Sequence, residues 1–143
     1  MTAPALSAVV AAAFPDLPEL ALSVRQPWPW AMQHAGKDIE NRDWRTTRRG
    51  RIAVHAGKGM TLSEYRDCLD LVREIKGADF DLPGMEQLSR GGIVGSVDIV
   101  DCVTLSESPW FFGAFGFVLR DFRPVDFIPC RGELGFFRWR NGL

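Results

Sequence analysis

Short apolar segments bounded by glycine or proline constrain the fold of this chain more than any other feature. Strand-like segments cover Leu20–Val24, Arg51–His55, Phe115–Leu119 and Gly135–Trp139, and the longest covers Ile93–Val103. Short strands with glycine-marked bends favour a small barrel, whereas a doubly wound sheet needs a helix between successive strands. We therefore predict an α+β fold, a small mixed β-barrel of about five or six strands with two or three flanking helices.

Two helices are indicated by their first turns. Thr61 and Glu64 have the spacing of a capping box, and the apolar residues that follow share one helical face: Leu62, Tyr65, Leu69 and Val72. Pro27 suits the first turn of a second helix, which runs to Gly36. A third segment, Leu6–Phe14, is rich in alanine and stops at Pro15, which indicates a short helix or a loosely held arm.

The chain has the size of one domain, with 143 residues of which 46% are hydrophobic. We assign residues 1–18 to an N-terminal helical arm and residues 19–143 to the domain. The apolar N-terminal run lacks the positive charge of a signal peptide and is too short to span a bilayer, so we expect a cytoplasmic protein that does not contact a membrane.

Three widely spaced cysteines, Cys68, Cys102 and Cys130, form neither a CxxC motif nor an even set. This spacing is typical of reduced cysteines and gives no metal site. No motif indicates a cofactor, so we expect neither a metal nor a cofactor.

Positive charge is concentrated in one stretch of a chain whose formal net charge is -1. Between Arg25 and Lys58 there are eight Lys/Arg against three Asp/Glu. A confined basic stretch predicts a surface that faces an anion, and the alternative is a solvated face whose charges are paired within the fold.

The same stretch contains the densest mixture of aromatic and polar residues, SVRQPWPW at 23–30 and GKDIENRDWRTTRRG at 36–50. Indole rings stack on bases, and guanidinium groups bind phosphates or base edges. We expect Trp28 and Trp44 to face a ligand and Trp30 to lie in the core. The predicted nucleic-acid-binding residues are Arg25, Gln26, Trp28, Lys37, Glu40, Asn41, Arg42, Trp44, Arg45, Thr46 and Arg49.

Catalytic residues are not identified by spacing alone, and Lys37 and Glu40 are the candidates. Alternation in a short strand at 37–41 would send Lys37 and Glu40 to opposite faces, and spacing alone favours a structural ion pair over a catalytic one. A lone histidine at the end of a strand, His55, is expected to satisfy a backbone group. Ser23 has no neighbouring base in the sequence.

Five ordered blocks resemble the ASCH domain family: LSVRQPWPWAM, GKDIENRDWRT, RGRIAVHAGK, GGIVGSVDIVDCV and SPWFFGAFGFVL. The resemblance covers about residues 20–139 and implies a PUA-like β-barrel, related in fold to the PUA, EVE and YTH modules. It also implies binding of RNA, single-stranded nucleic acid or a nucleotide in a cleft beside the barrel.

The resemblance offers a second function. Some ASCH proteins are amidohydrolases that act on acetylated cytidine through a lysine, a threonine and a glutamate. Lys37 matches that lysine, but Glu40 stands where the threonine would fall. The hypotheses are therefore a nucleic-acid-binding or nucleotide-binding domain, a hydrolase of a modified nucleoside or of RNA, and a protein-interaction adaptor.

Overall fold

The structure is a computed structural model that describes residues 16–143, and the predicted helix at Leu6–Phe14 lies outside this range. Six strands and two α-helices make up the described residues. The strands are β1 (Leu20–Val24), β2 (Ile39–Arg42), β3 (Gly50–Ala56), β4 (Gly92–Val103), β5 (Phe115–Pro129) and β6 (Phe136–Arg138). The helices are α1 (Trp28–His34) and α2 (Leu62–Lys76), with two short 3₁₀ turns at Met85–Gln87 and Trp139–Gly142.

All six strands belong to one mixed sheet in the order β2-β5-β4-β3-β1-β6. Only β1 and β3 pair in parallel, and the other neighbours are antiparallel. The sheet curls into a half-barrel whose interior is filled by Leu22, Ile52, Val97 and Phe117 among others. The predicted α+β fold with a small mixed barrel is confirmed.

The helices begin where the sequence predicts. In α2, the Thr61 hydroxyl accepts from the Glu64 backbone N–H while the Glu64 side chain accepts from the Thr61 backbone, which completes the capping box. Helix α1 has Pro27 as its N-cap and Ala35 as its C-cap, and Gly36 after it has φ of 71°. A glycine takes this left-handed conformation without steric cost.

Strand β5 is longer than the sequence predicts. The strand predicted at Phe115–Leu119 continues through a proline-containing segment to Pro129. Pairing with β2 ends at Val118, so the outer edge of β5 beyond that point has no strand neighbour within residues 16–143. Proline is tolerated on such an edge because no partner strand needs its missing N–H. Register shifts against β4 on either side of Gly95 accommodate Pro124.

Side chains bridge the open side of the half-barrel, between β2 at one end of the sheet and β1 and β6 at the other. The Trp44 ring packs edge-on against Phe117 and Phe136, with centroids 5.1 and 5.5 Å away. The Arg42 guanidinium donates to the Ser23 carbonyl over 2.7 Å. Residues 42–44 therefore join the two ends of the curled sheet.

Residues 16–143 contain no helix that is long and apolar enough to cross a membrane.

Candidate ligand-binding cleft

A cleft of about 820 Å³ opens between α1, β2 and the start of α2. We call it the tryptophan cleft because three indoles line it: Trp28 on α1, Trp44 after β2, and Trp110 in the loop before β5. Seven of the eleven predicted binding residues lie in its wall: Arg25, Trp28, Lys37, Glu40, Asn41, Arg42 and Trp44.

Lys37, Glu40 and Arg42 form an ion-pair chain in this wall. Glu40 Oε1 lies 3.5 Å from Lys37 Nζ, and Glu40 Oε2 lies 3.2 Å from Arg42 Nη2. The expectation that alternation separates Lys37 from Glu40 is wrong. Strand β2 begins only at Ile39, so Lys37 precedes the pleated segment and its flexible side chain reaches the carboxylate.

Lys37 is 4% exposed, which is unusual for an ammonium group. Its Nζ lies 5.5 Å from the Trp28 ring centroid and 6.0 Å from that of Trp110, and it donates to the Ile39 carbonyl. Burial lowers the pKa of Lys37, and the nearby Glu40 carboxylate opposes that shift only in part. The site therefore holds an amine that releases its proton more readily than a surface lysine does.

Two of the three indoles retain exposed surface. Trp28 and Trp44 are half-buried, whereas Trp110 is 3% exposed and belongs to the core between α1 and α2. A ligand that enters the cleft can therefore contact Trp28 and Trp44. That Trp28 and Trp44 face a ligand stays a prediction. Trp30 is half-buried against His34 and Phe80, outside the cleft wall.

The charges that line the cleft balance. Its cations are Arg25, Lys37 and Arg42, and its carboxylates are Glu40, Asp43 and Glu64. Arg25 and Glu64 form a two-pronged hydrogen bond at the rim, with both donor–acceptor distances 2.7 Å. This pairing raises the pKa of Arg25 and lowers the pKa of Glu64. The cleft is thus polar and aromatic without an excess of positive charge.

Four predicted binding residues lie outside the cleft wall. Gln26 is buried and bonds the Ser89 carbonyl and the Trp30 backbone N–H. Thr46 is buried and its hydroxyl accepts from the Arg48 backbone. Arg45 and Arg49 are exposed side chains of segment 45–49 between β2 and β3, which we call the arginine loop.

The arginine loop stacks its cations on aromatic rings. The Arg45 guanidinium carbon lies 5.5 Å from the Phe115 ring centroid, and that of Arg48 lies 5.5 Å from the Phe136 ring centroid. Arg49 donates to the carbonyls of Thr46 and Arg48. Because Phe136 also packs against Trp44, the loop adjoins the tryptophan cleft.

Asn41 lines the cleft, but its side chain forms hydrogen bonds within the protein. Its side chain donates to the Trp110 carbonyl over 2.9 Å and accepts from the Phe112 backbone N–H over 2.7 Å. Asn41 therefore positions the loop that supplies Trp110.

Several residues of the cleft were not predicted from the sequence. Trp110, Phe112 and Leu134 come from two loops far along the chain. The SPWFFG block is a cluster of aromatic residues before a strand, and that clustering was the available signal. Leu134 carried no signal, because an isolated leucine in a loop has no distinctive pattern. Within residues 16–143, no group of three or more His, Cys, Asp or Glu side chains could hold a metal ion.

A curled six-stranded sheet with two helices defines a small α+β barrel domain, and its candidate ligand site is the tryptophan-lined cleft at the open side. The family model of the ASCH domain matches residues 22–115, and the chain belongs to the ASCH domain family. The matched segment carries most of the tryptophan cleft, from Ser23 to Phe112.

The chain is also similar to a much longer protein of mammals. It is 32% identical over 87 residues to activating signal cointegrator 1 of Mus musculus, and to the same extent to that of Homo sapiens. The aligned segment is 60% of this chain but 15% of each relative. The similarity thus concerns one domain of those proteins.

Proposed function

We propose that the tryptophan cleft binds one base of an RNA or a single-stranded nucleic acid. The observation that carries this proposal is the meeting of two half-buried indoles, Trp28 and Trp44, with the Lys37–Glu40–Arg42 chain in one cavity. An unpaired base needs a flat apolar surface and polar groups for its edge. The ASCH family is itself proposed to bind RNA.

The charge balance of the cleft favours a base over a phosphate as its occupant. Three cations face three carboxylates there, and Arg25 and Arg42 are already paired with Glu64 and Glu40. A phosphate would meet those carboxylates as like charges, whereas a neutral base would not. The cavity therefore suits the uncharged part of a nucleotide.

The arginine loop is the proposed contact for the phosphates. Arg45, Arg48 and Arg49 are exposed on this loop, and the stacking of Arg45 and Arg48 on rings leaves their guanidinium edges able to donate. A single-stranded nucleic acid with one base in the cleft would pass its sugar-phosphate backbone over this loop. Binding should accordingly depend on salt.

Replacement of single tryptophans tests the base site. We expect Trp28→Ala and Trp44→Ala to weaken the binding of fluorescein-labelled single-stranded RNA, measured by fluorescence anisotropy, by about 1–3 kcal/mol each. Trp30→Ala is the matched control because Trp30 lies outside the cleft wall. Unfolding curves verify that each variant is folded. Equal affinity of all three variants and the unmodified protein would contradict the proposal.

The salt dependence of binding tests the phosphate contacts. We expect the triple change of Arg45, Arg48 and Arg49 to alanine to reduce the slope of log K against log salt by about 0.7 for each phosphate that is no longer neutralised. Arg66→Ala, an exposed arginine on α2, is the control and should leave the slope unchanged. An unchanged slope in the triple variant would contradict the proposed contact between the nucleic-acid phosphates and the arginine loop.

A second candidate function rests on the buried lysine. An amine with a lowered pKa beside a carboxylate is suited to general acid–base catalysis, and Lys37 has both properties. The candidate reaction is hydrolysis of the acetyl amide of acetylcytidine. Chromatographic detection of cytidine and acetate tests this activity, with Lys37→Met and Glu40→Gln as the variants. Turnover that both changes abolish would support the hydrolase, and no turnover by the unmodified protein would exclude it.

A further inference from the structure

A second cleft of about 860 Å³ adjoins the tryptophan cleft on the side of β3. We call it the histidine cleft because His55 forms part of its wall. The two clefts share Ser23, Arg42, Leu134 and Gly135. Neither base binding nor acetylcytidine hydrolysis in the tryptophan cleft uses His55.

Ser23 and His55 are hydrogen-bonded side by side in this cleft. The parallel pairing of β1 with β3 puts the two residues in register, and Ser23 Oγ lies 2.9 Å from His55 Nδ1. His55 Nε2 lies 2.9 Å from the Cys130 carbonyl oxygen. Because a carbonyl only accepts, Nε2 carries the proton, and Nδ1 accepts from the Ser23 hydroxyl. The hydroxyl, the imidazole and an orienting acceptor are thus arranged as a nucleophile with its base.

The backbone approaches this pair at glycines. A Cβ on Gly132 would lie 2.7 Å from His55 Cε1 and 3.3 Å from Ser23 Oγ, so no larger residue fits without movement. A Cβ on Gly57 would lie 3.4 Å from Ser23 Oγ. Absence of side chains at these two positions leaves space beside the Ser23 oxygen.

The protonation state of His55 also suits a general base. The residue is 2% exposed, and burial lowers its pKa while the bond to Cys130 opposes that shift only in part. The imidazole is therefore neutral near neutral pH and able to take a proton.

Charge in the histidine cleft favours an anionic ligand. Its cations are Arg42, Lys58 and Arg131, and its carboxylate is Glu133, which pairs with Arg131 at 3.6 Å. Among residues 16–143, no salt bridge is formed by Lys58. The carboxylate partner of Arg42 is Glu40, outside this cleft.

We propose that Ser23 is a nucleophile activated by His55, and that the histidine cleft hydrolyses esters whose acyl part bears a carboxylate. Ser23 Oγ attacks the ester carbonyl carbon and its proton passes to His55 Nδ1. The tetrahedral intermediate expels the alcohol oxygen, which takes that proton, and an acyl-serine forms. Water then attacks the acyl carbon, gives one proton to His55, and the acid leaves while Ser23 regains its proton.

Release of 4-nitrophenolate from mono-4-nitrophenyl succinate measures this activity. We expect Ser23→Ala and His55→Gln to lower the rate by at least about 100-fold. Ser63→Ala, an exposed serine on α2, is the matched control and should retain the full rate. Lys58→Ala should raise KM for the succinate ester by a larger factor than KM for neutral 4-nitrophenyl acetate.

A second measurement uses the unmodified protein and so does not depend on the folding of any variant. We expect a fluorophosphonate probe to modify the unmodified protein, with the adduct located on Ser23 by peptide mass spectrometry. Absence of both ester turnover and a Ser23 adduct overturns the proposal, as does turnover that Ser23→Ala retains. Base binding in the tryptophan cleft is measured separately, with RNA and the Trp28 variant, so either proposal can fail while the other stands.

Discussion

The Arg42 guanidinium donates a 2.7 Å hydrogen bond to the backbone carbonyl of Ser23 and thereby joins β2 to β1, two strands that are not neighbours in the sheet. The same Nη2 atom contacts Glu40 at 3.2 Å. Within the described chain, Arg42 Nε is a buried atom without a hydrogen-bond partner. Arg42 therefore forms part of the wall between the two clefts and also closes the half-barrel.

Removal of Arg42 should destabilise the fold. We expect Arg42→Ala to lower the free energy of unfolding by about 2 kcal/mol, because the protein loses a hydrogen bond from a charged donor and Glu40 keeps only Lys37 as its partner. Urea unfolding followed by tryptophan fluorescence measures the change. Arg66→Ala on the surface of α2 is the control. Equal midpoints for the two variants would show that the bond to Ser23 contributes little.

Lys37 should make stability depend on alkaline pH. Its folded-state pKa lies below its ordinary value of 10.5, so the folded protein binds this proton less tightly than the unfolded chain. Burial of the charged amine therefore lowers the free energy of unfolding. This loss is full below the folded-state pKa and disappears as the pH rises through that value to 10.5. The unmodified protein should therefore gain stability relative to Lys37→Met over this range. Parallel urea unfolding curves at a series of pH values measure the difference, and a constant difference would contradict it.

The fold was largely predictable because its signals are local. Thr61 and Glu64 start α2 through bonds three residues apart, and the strand predicted at Leu20–Val24 has the observed bounds. The extent of β5 was not predictable, since tolerance of Pro124 depends on its position at a sheet edge. That position is a property of the whole sheet.

The tryptophan cleft was predictable in part because most of its polar residues lie in two adjacent segments of the sequence. Burial of Lys37 between two indoles was not, since Trp110 comes from a distant loop. The Ser23–His55 pair was missed for the same reason. These residues are 32 positions apart and meet only because β1 and β3 pair in parallel, a contact that residue spacing does not encode.

His55 should make the protein sensitive to acid. Burial holds its folded-state pKa below the ordinary value of 6.5, so the unfolded chain takes up this proton first. Stability should fall as the pH decreases through 6.5 and level off below the folded-state pKa. We expect His55→Gln to lose this part of the pH dependence. Urea unfolding of both proteins between about pH 5 and about pH 7 measures it, and parallel profiles would contradict the assignment.

The three free cysteines should differ sharply in reactivity. Burial raises the pKa of Cys68 to about 12 and that of Cys130 to about 11, whereas Cys102 is half-exposed on β4. The thiolate is the species that reacts, so we expect iodoacetamide at about pH 8 to alkylate Cys102 first and the other two only on unfolding. Peptide mass spectrometry at successive times, with a urea-unfolded sample as the control, measures the order. Early alkylation of Cys130, whose carbonyl orients His55, would instead mean that the wall of the histidine cleft opens in solution.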